Sequence, residues 1–383
     1  MYKILAALYF LVTLIHCRQV KRECKRSSEA SVVVLAAPLA DDQYYKDYIP
    51  DILKYQAAFL TRVAAPDKAY VLADAAATKV LKSHGVSPGQ ILPLPVFDIW
   101  MRDFSPARNT RFVYQPVYIK IAAQAKAIQG SLFDNFKAHG VSLQKQDSNL
   151  ILDGGNVVDN ALDTAILTTR VFDDNKRWTE DEVMAELHQK LAYSNIAIVT
   201  ELPGDTTGHS DGMVSYIDTN VLAVNQQETK KDQENLMAEL REQTPEGTKL
   251  VLIPNKPDLA EPVGFASACG IHINLLATPT HLYVPTFGDD PAGAAKGFTK
   301  EVDQTVLAKI RENTSKTVVP IPVPDKVCVL GGSVRCLSYQ VTGETAAKII
   351  ELAEKLTASA DTEQQADEGA GEGEEGEVGE GEY

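Results

Sequence analysis

Leu150-Ile151-Leu152-Asp153-Gly154-Gly155-Asn156-Val157 is an apolar run that stops on two glycines, a polar residue and a valine. Cys328-Val329-Leu330-Gly331-Gly332-Ser333-Val334 repeats that pattern near the other end of the chain. Short apolar runs bounded by glycine fit buried strands, and the echo hints at a repeated unit. Working outward, residues 31–35, 69–72, 165–169, 196–199, 250–253, 281–285, 317–321 and 327–330 read as further strands, and residues 112–121 as extended chain. Residues 213–217 and 221–224 read as a hairpin. Between these lie stretches with helical spacing of apolar residues, at 41–63, 74–84, 122–139, 179–191, 228–244, 299–313 and 344–356. Strands and helices that interleave throughout indicate an α/β fold. The tight turns joining several strand pairs argue against a purely parallel sheet.

The chain has 383 residues, 44% of them hydrophobic, enough for a sizeable core. Ten of its acidic residues, and no basic one, fall between Asp361 and Glu382, so the rest of the chain carries only −5 of the net −15. Residues 358–383 therefore read as a disordered, Glu/Gly-rich acidic tail that cannot bury enough apolar surface to offset ordering. No basic stripe interleaved with aromatics marks a nucleic-acid surface. A mildly acidic body suits a small cationic ligand. Residues 1–17, with Lys3 ahead of an apolar stretch to Ile15, resemble a signal peptide and are too short to span a bilayer comfortably. A short anchor and an uncleaved extension are the other readings. Residues 18–30 form a basic linker, and residues 31–357 the globular domain. Secretion is the expected localisation, with a cytoplasmic location as the alternative. Three of the five cysteines, Cys269, Cys328 and Cys336, lie in the body, so at least one is unpaired or pairs between chains.

Four polar patches stand beside apolar runs: Trp100-Met101-Arg102-Asp103, Asp153-Gly154-Gly155-Asn156, Gly208-His209-Ser210-Asp211-Gly212 and Gly331-Gly332-Ser333-Val334-Arg335-Cys336. Each has an ordinary reading: a helix cap, a turn, a core histidine, a small buried thiol. Taken together they resemble the agmatine deiminase and bacterial-type peptidylarginine deiminase family of the guanidine-modifying pentein superfamily. Trp100-x-Arg102-Asp103 is similar to its W-x-R-D element, Asp153-Gly154-Gly155 to E-G-G, and Gly208-His209-x-Asp211 to G-H-x-D. Val284-Pro285-Thr286-Phe287-Gly288 is similar to V-P-T-F-G, and Gly331-Gly332-x-x-x-Cys336 to the terminal G-G-x-x-x-C. The five elements occur in the family's order.

The resemblance implies an α/β-propeller of five ββαβ-like units with pseudo-fivefold symmetry and a site at its centre. It implies that Cys336 attacks the guanidinium carbon, that His209 moves the protons, and that Asp153 orients His209. Asp103 and Asp211 would bind the guanidinium nitrogens, while Asn274, beside the thiolate, and Trp100 complete the substrate-binding set. The chemistry agrees. A guanidinium is a planar cation with a fixed fork of donors, which carboxylates match with charge-assisted bonds, and its carbon is a weak electrophile that calls for a thiolate. No metal or organic cofactor is implied. The expected partner is a small-molecule or peptide guanidinium, with no nucleic acid and no membrane span in the mature chain; a homo-oligomer is left open. Arg335 adjoins Cys336 but is not assigned a role in activating it.

Two departures bear on substrate rather than chemistry. Asp153 stands where the family carries Glu, which shortens the reach by about 1.5 Å, and no Trp-rich N-terminal substrate segment is evident. The alternatives are an amidinotransferase using the same residues and an inactive pentein-fold binding protein. Less favoured are a metal site built from Asp103, His209, Asp211 and Cys336 and a Cys-His protease, whose local signatures are missing.

Overall fold

The computed structural model describes residues 31–254, 256, 258 and 264–371. The readings made for residues 1–30 and 372–383 lie outside these. The described strands group into five small sheets. One holds Val32–Ala36, Lys68–Leu72 and Ile91–Leu92 in parallel, with Tyr339–Val341 antiparallel to Val32–Ala36 at its edge. The second is the parallel pair Thr110–Val113 and Gln146–Ile151. The other three repeat one plan, an antiparallel pair followed by a parallel strand. They are Val158–Asp159, Thr164–Thr168 and Asn195–Val199, then Val214–Asp218, Val221–Asn225 and Lys249–Ile253, then Leu276–Ala277, His281–Thr286 and Thr317–Pro322.

Each long parallel pair is bridged by a helix: Ile49–Leu60, Ala122–Ala138, Glu180–Leu191, Lys230–Gln243 or Lys300–Arg311. Local sequence explains where three of these begin. Thr179, Thr229 and Thr299 each turn a side-chain oxygen onto a backbone N–H of the first turn, and at Thr179 the Glu182 carboxylate completes a capping box. Val183, Leu187 and Leu191 then recur at four-residue spacing and are buried against the sheet.

Because Tyr339–Val341 pairs with Val32–Ala36, the last strand of the chain closes onto the first. Every other sheet is then entered and left through one connecting segment. Those segments run from Leu92 to Thr110, from Ile151 to Val158, from Val199 to Val214, from Ile253 to Leu276 and from Pro322 to Tyr339. The fold is thus a mixed α/β assembly of small sheets, as the interleaved pattern predicts.

Three local expectations differ from the structure. Residues 327–330 do not form a strand: Asp325–Cys328 is a short helix started after Pro324, whose fixed φ suits a helix entrance. The two echoing Gly-Gly runs therefore share a place between sheets, not a local conformation. Of the extended stretch at residues 112–121, only Phe112 and Val113 lie in a strand, Thr110–Val113. The closing helix is Gly343–Gly371, so it continues past residue 358, where composition places the start of the tail. Ala, Glu and Gln are strong helix formers whether or not they bury anything, and glycine becomes frequent only at the far end.

Candidate active site

The five connections carry the polar patches, and each contributes to one cluster. Asp103 comes from the first, Asp153 from the second, His209 and Asp211 from the third, Asn274 from the fourth and Cys336 from the fifth. Hydrogen bonds between connections hold them in register. The Arg102 N–H donates to the Cys336 carbonyl at 3.1 Å, and the Arg335 N–H to the Asn274 carbonyl at 3.0 Å. Asn156 Oδ1 accepts from the backbone N–H of Thr168 at 2.9 Å and of Ser210 at 3.2 Å, which ties the second connection to the third. Side chains held by such bonds lose little further freedom when they meet a ligand.

Asn274 Nδ2 donates to Cys336 Sγ at 3.1 Å, while its Oδ1 accepts from the Ser333 hydroxyl at 2.9 Å, so the amide is fixed with its N–H pair towards the sulfur. Asp211 Oδ2 lies 3.7 Å from Cys336 Sγ. His209 is buried between carboxylates, with Nε2 at 3.3 Å from Asp153 Oδ2 and Nδ1 at 3.8 Å from Asp103 Oδ1. The contact to Asp153 is at the long end for a hydrogen bond, in keeping with aspartate in place of glutamate. Two glycines make the packing feasible. A Cβ on Gly155 would run into the His209 ring and come within 2.7 Å of Asp103 Oδ1. One on Gly332 would strike the Trp100 ring and lie 2.7 Å from Cys336 Cβ.

The electrostatics follow from crowding three carboxylates around one imidazole. Burial acts against a charged imidazole, but Asp103, Asp153 and Asp211 outweigh it and push the His209 pKa up. Burial also raises Asp103, opposed by His209 and reinforced by the other two aspartates. Burial raises Asp211 as well, partly offset by Arg335, whose Nε lies 3.4 Å from Asp211 Oδ2. The Cys336 thiol is pushed well above its usual value by burial and then by Asp211 and Asp103, against the Asn274 hydrogen bond.

All but one of the residues singled out from sequence line a single cavity of about 760 Å³: Trp100, Asp103, His209, Asp211, Asn274 and Cys336. Asp153 stands behind it, against His209. Asp42, Asp98, Asp205, Glu228, Asp232 and Asp258 also line the cavity, and among the described residues no lysine or arginine does. Asp103, His209, Asp211 and Cys336, the metal set considered from sequence, share this cavity, but no three of them bring their ligand atoms mutually within 4.8 Å. Among the described residues the one group with ligand atoms mutually within 4.8 Å is Cys269, Asp325 and Cys328, and its two sulfurs are joined in a disulfide. Cys336 is the free thiol among the described cysteines.

Sequence reading missed Tyr118, whose hydroxyl donates to Asp103 Oδ2 at 3.2 Å, and Tyr45, which donates to the buried Asp98 at 2.8 Å. Neither stands near a glycine patch, and nothing in their local sequence marks them. The V-P-T-F-G stretch, in contrast, does not line the cavity. Its Phe287 and Gly288 N–H groups donate to buried Asp303, which also holds His272 Nε2 at 2.8 Å.

A family model described as Porphyromonas-type peptidyl-arginine deiminase matches residues 24–341. Among solved structures, the chain is similar to C. jejuni agmatine deiminase, with a TM-score of 0.65 and 17% identity over 83% of this chain and 95% of that one. The C315S variant of that enzyme, solved with substrate bound, superposes equally well, with a TM-score of 0.65 and 17% identity over the same shares of 83% and 95%. Agmatine deiminase of Enterococcus faecalis has a TM-score of 0.62 and 14% identity over 82% of this chain and 94% of that one. No curated protein matches the chain by sequence.

Proposed function

The chain belongs to the Porphyromonas-type peptidyl-arginine deiminase family, and we propose on that footing that it hydrolyses a guanidinium to a ureido group and ammonia. The observation that carries this reading is a cavity in which Cys336, His209, Asp103 and Asp211 meet, lined among the described residues by eight carboxylate side chains and by no lysine or arginine. Such a cavity favours a cation. Its two innermost carboxylates stand beside the sulfur and the imidazole, where a bound guanidinium would present its carbon to one and its departing nitrogen to the other. The five sheets, closed by the pairing of last strand with first, fit the expected five-unit propeller about a central axis.

In this mechanism the substrate switches the nucleophile on. The guanidinium neutralises Asp103 and Asp211, whose charges raise the Cys336 pKa, and adds a cation of its own next to the sulfur. The thiol then gives its proton to solvent water and Sγ bonds to the guanidinium carbon. The C–N bond of the tetrahedral adduct breaks, and its nitrogen takes a proton from the His209 imidazolium and leaves as ammonia. Neutral His209 removes a proton from water as the water oxygen bonds to the same carbon. The C–S bond then breaks as the added hydroxyl releases its proton to solvent, giving the ureido product and the free thiolate. Asn274, with its amide donated to the sulfur, stabilises the thiolate at both ends of the cycle. Asp153 holds the imidazole in orientation and supports its charged form.

The substrate is agmatine, arginine or arginine in a peptide. The Cys269–Cys328 disulfide supports the secretory reading of the N-terminal segment, since such bonds persist in oxidising compartments. That location favours arginine or a peptide over agmatine. The test is release of ammonia and ureido product from agmatine, arginine and a C-terminal-arginine peptide, with Cys336→Ala as control. Turnover of one of them, abolished in Cys336→Ala, is expected. With the thiol intact and reduced, no turnover of any overturns the hydrolase reading and points to amidino transfer to an amine or to an inactive binding protein.

A further inference from the structure

A second cavity, of about 490 Å³, adjoins the first through the neighbours of its key residues: Arg102 next to Asp103, Gly154 next to Asp153, and Arg335 next to Cys336. Its charge is opposite in character. The cations Arg102, Arg108, Lys316 and Arg335 face the carboxylates Asp159 and Asp218. Both carboxylates are engaged already: Asp218 accepts from the N–H and hydroxyl of Ser315 at 2.9 and 2.8 Å, and Asp159 from the Ala161 N–H at 2.6 Å. Arg108 is committed too, donating to the carbonyls of Ala192 and Leu162 and lying 4.0 Å over the Tyr193 ring.

The other groups are not so committed. Arg102 Nε and Nη2, Arg335 Nε and the Tyr216 hydroxyl are buried without a hydrogen-bond partner. Arg335 reaches Asp211 only as a 3.4 Å ion pair through that Nε, while its Nη2 donates to the Val157 carbonyl at 2.6 Å. Tyr216 is 4% exposed. Burial, and then the nearby Arg335 charge, lower the Arg102 pKa, and burial lowers that of Lys316. Buried guanidinium donors without acceptors are costly, and their planar fork matches the two oxygens of a carboxylate or phosphate.

We propose that this second cavity binds a small organic oxyanion, with its carboxylate or phosphate group held by Arg102, Lys316 and the Tyr216 hydroxyl. The volume is within the range of small-molecule sites and exceeds what one inorganic ion fills. Arg102 and Arg335 belong to the same connections as Asp103 and Cys336, so an occupant here would adjoin the backs of two groups of the candidate active site.

The experiment is calorimetric titration of the full chain with inorganic phosphate and, separately, citrate, at an ionic strength held constant with chloride and with no guanidinium compound present. Its result is independent of whether the first cavity is a deiminase site. Saturable binding of at least one probe is expected, weakened about tenfold or more in Lys316→Met and about threefold in Tyr216→Phe. The preferred probe distinguishes phosphate from carboxylate. Tyr216→Phe removes only a hydroxyl that bonds to nothing, so it reports even if Lys316→Met does not fold. Absence of saturable binding, or binding unchanged in the folded variants, overturns the proposal and leaves the orphan donors to water.

Discussion

Asp303 and Asp103 are both buried aspartates with a histidine beside them, yet their surroundings differ. Asp303 Oδ1 takes His272 Nε2, and its two oxygens share the Phe287 and Gly288 N–H groups, so neither is left without a donor. Asp103 Oδ2 takes the Tyr118 hydroxyl, but Oδ1 has no hydrogen-bond partner and stands 3.8 Å from His209. Asp153 and Asp211 add negative charge around it. A carboxylate supplied with donors from its own chain holds a loop in place. One left short of donors among like charges is set to receive a cation, and the fold carries the cost of that repulsion elsewhere.

Exchanging the two roles by mutation tests that contrast. Asp103→Asn should lower kcat/KM for the best guanidinium substrate by about a thousandfold, since it leaves a buried charged partner uncompensated on binding. Its denaturant midpoint should not fall, because a repulsive charge is removed; a midpoint that drops as activity does would make Asp103 structural. Asp303→Asn should do the reverse, costing about 2–3 kcal/mol of stability in urea unfolding through weakened charge-assisted bonds. Activity per folded molecule should stay close to wild type, and a large loss of kcat/KM would break the contrast.

Smaller effects sharpen it. Asp211 raises the Cys336 pKa by repulsion, so Asp211→Asn should speed iodoacetamide alkylation of Cys336 at pH 8 severalfold even as catalysis is lost. In the wild type, alkylation should keep accelerating with pH beyond the ordinary thiol range, because the raised pKa delays thiolate formation. A plateau near pH 8 would contradict the crowding of carboxylates. Tyr118→Phe removes a single donor from Asp103, and kcat/KM should fall by no more than about tenfold. A loss as large as that of Asp103→Asn would give the phenol a place in the chemistry.

Much of the α/β alternation was legible because apolar periodicity and threonine caps act locally, as residues 179–191 show. The strand expected at residues 327–330 failed because four apolar residues fit a helix turn as well as a strand, and Pro324 decided the matter. Cys336, His209, Asp103 and Asp211 were legible because each stands beside glycines in a motif. Tyr118 was not, since nothing in Tyr114-Gln115-Pro116-Val117-Tyr118 says that its hydroxyl meets an aspartate. The V-P-T-F-G run was legible as a motif but not as to its purpose, because the partner that explains it, Asp303, lies further along the chain on the helix Lys300–Arg311.

By itself the sequence determined the residue types of a thiol, an imidazole and paired carboxylates, their order along the chain, and the family they belong to. These depend on side-chain chemistry and near neighbours alone. Only the tertiary structure decided that residues from four of the five connections line a single cavity with Asp153 of the remaining one behind His209, and that Cys269 pairs with Cys328 while Cys336 stays free. Only there, too, do Arg102 and Arg335 border a second cavity while their sequence neighbours Asp103 and Cys336 line the first. Distances between residues hundreds of positions apart, and the burial that shifts their charges, come from the closing of the sheets on one another, which no local pattern encodes.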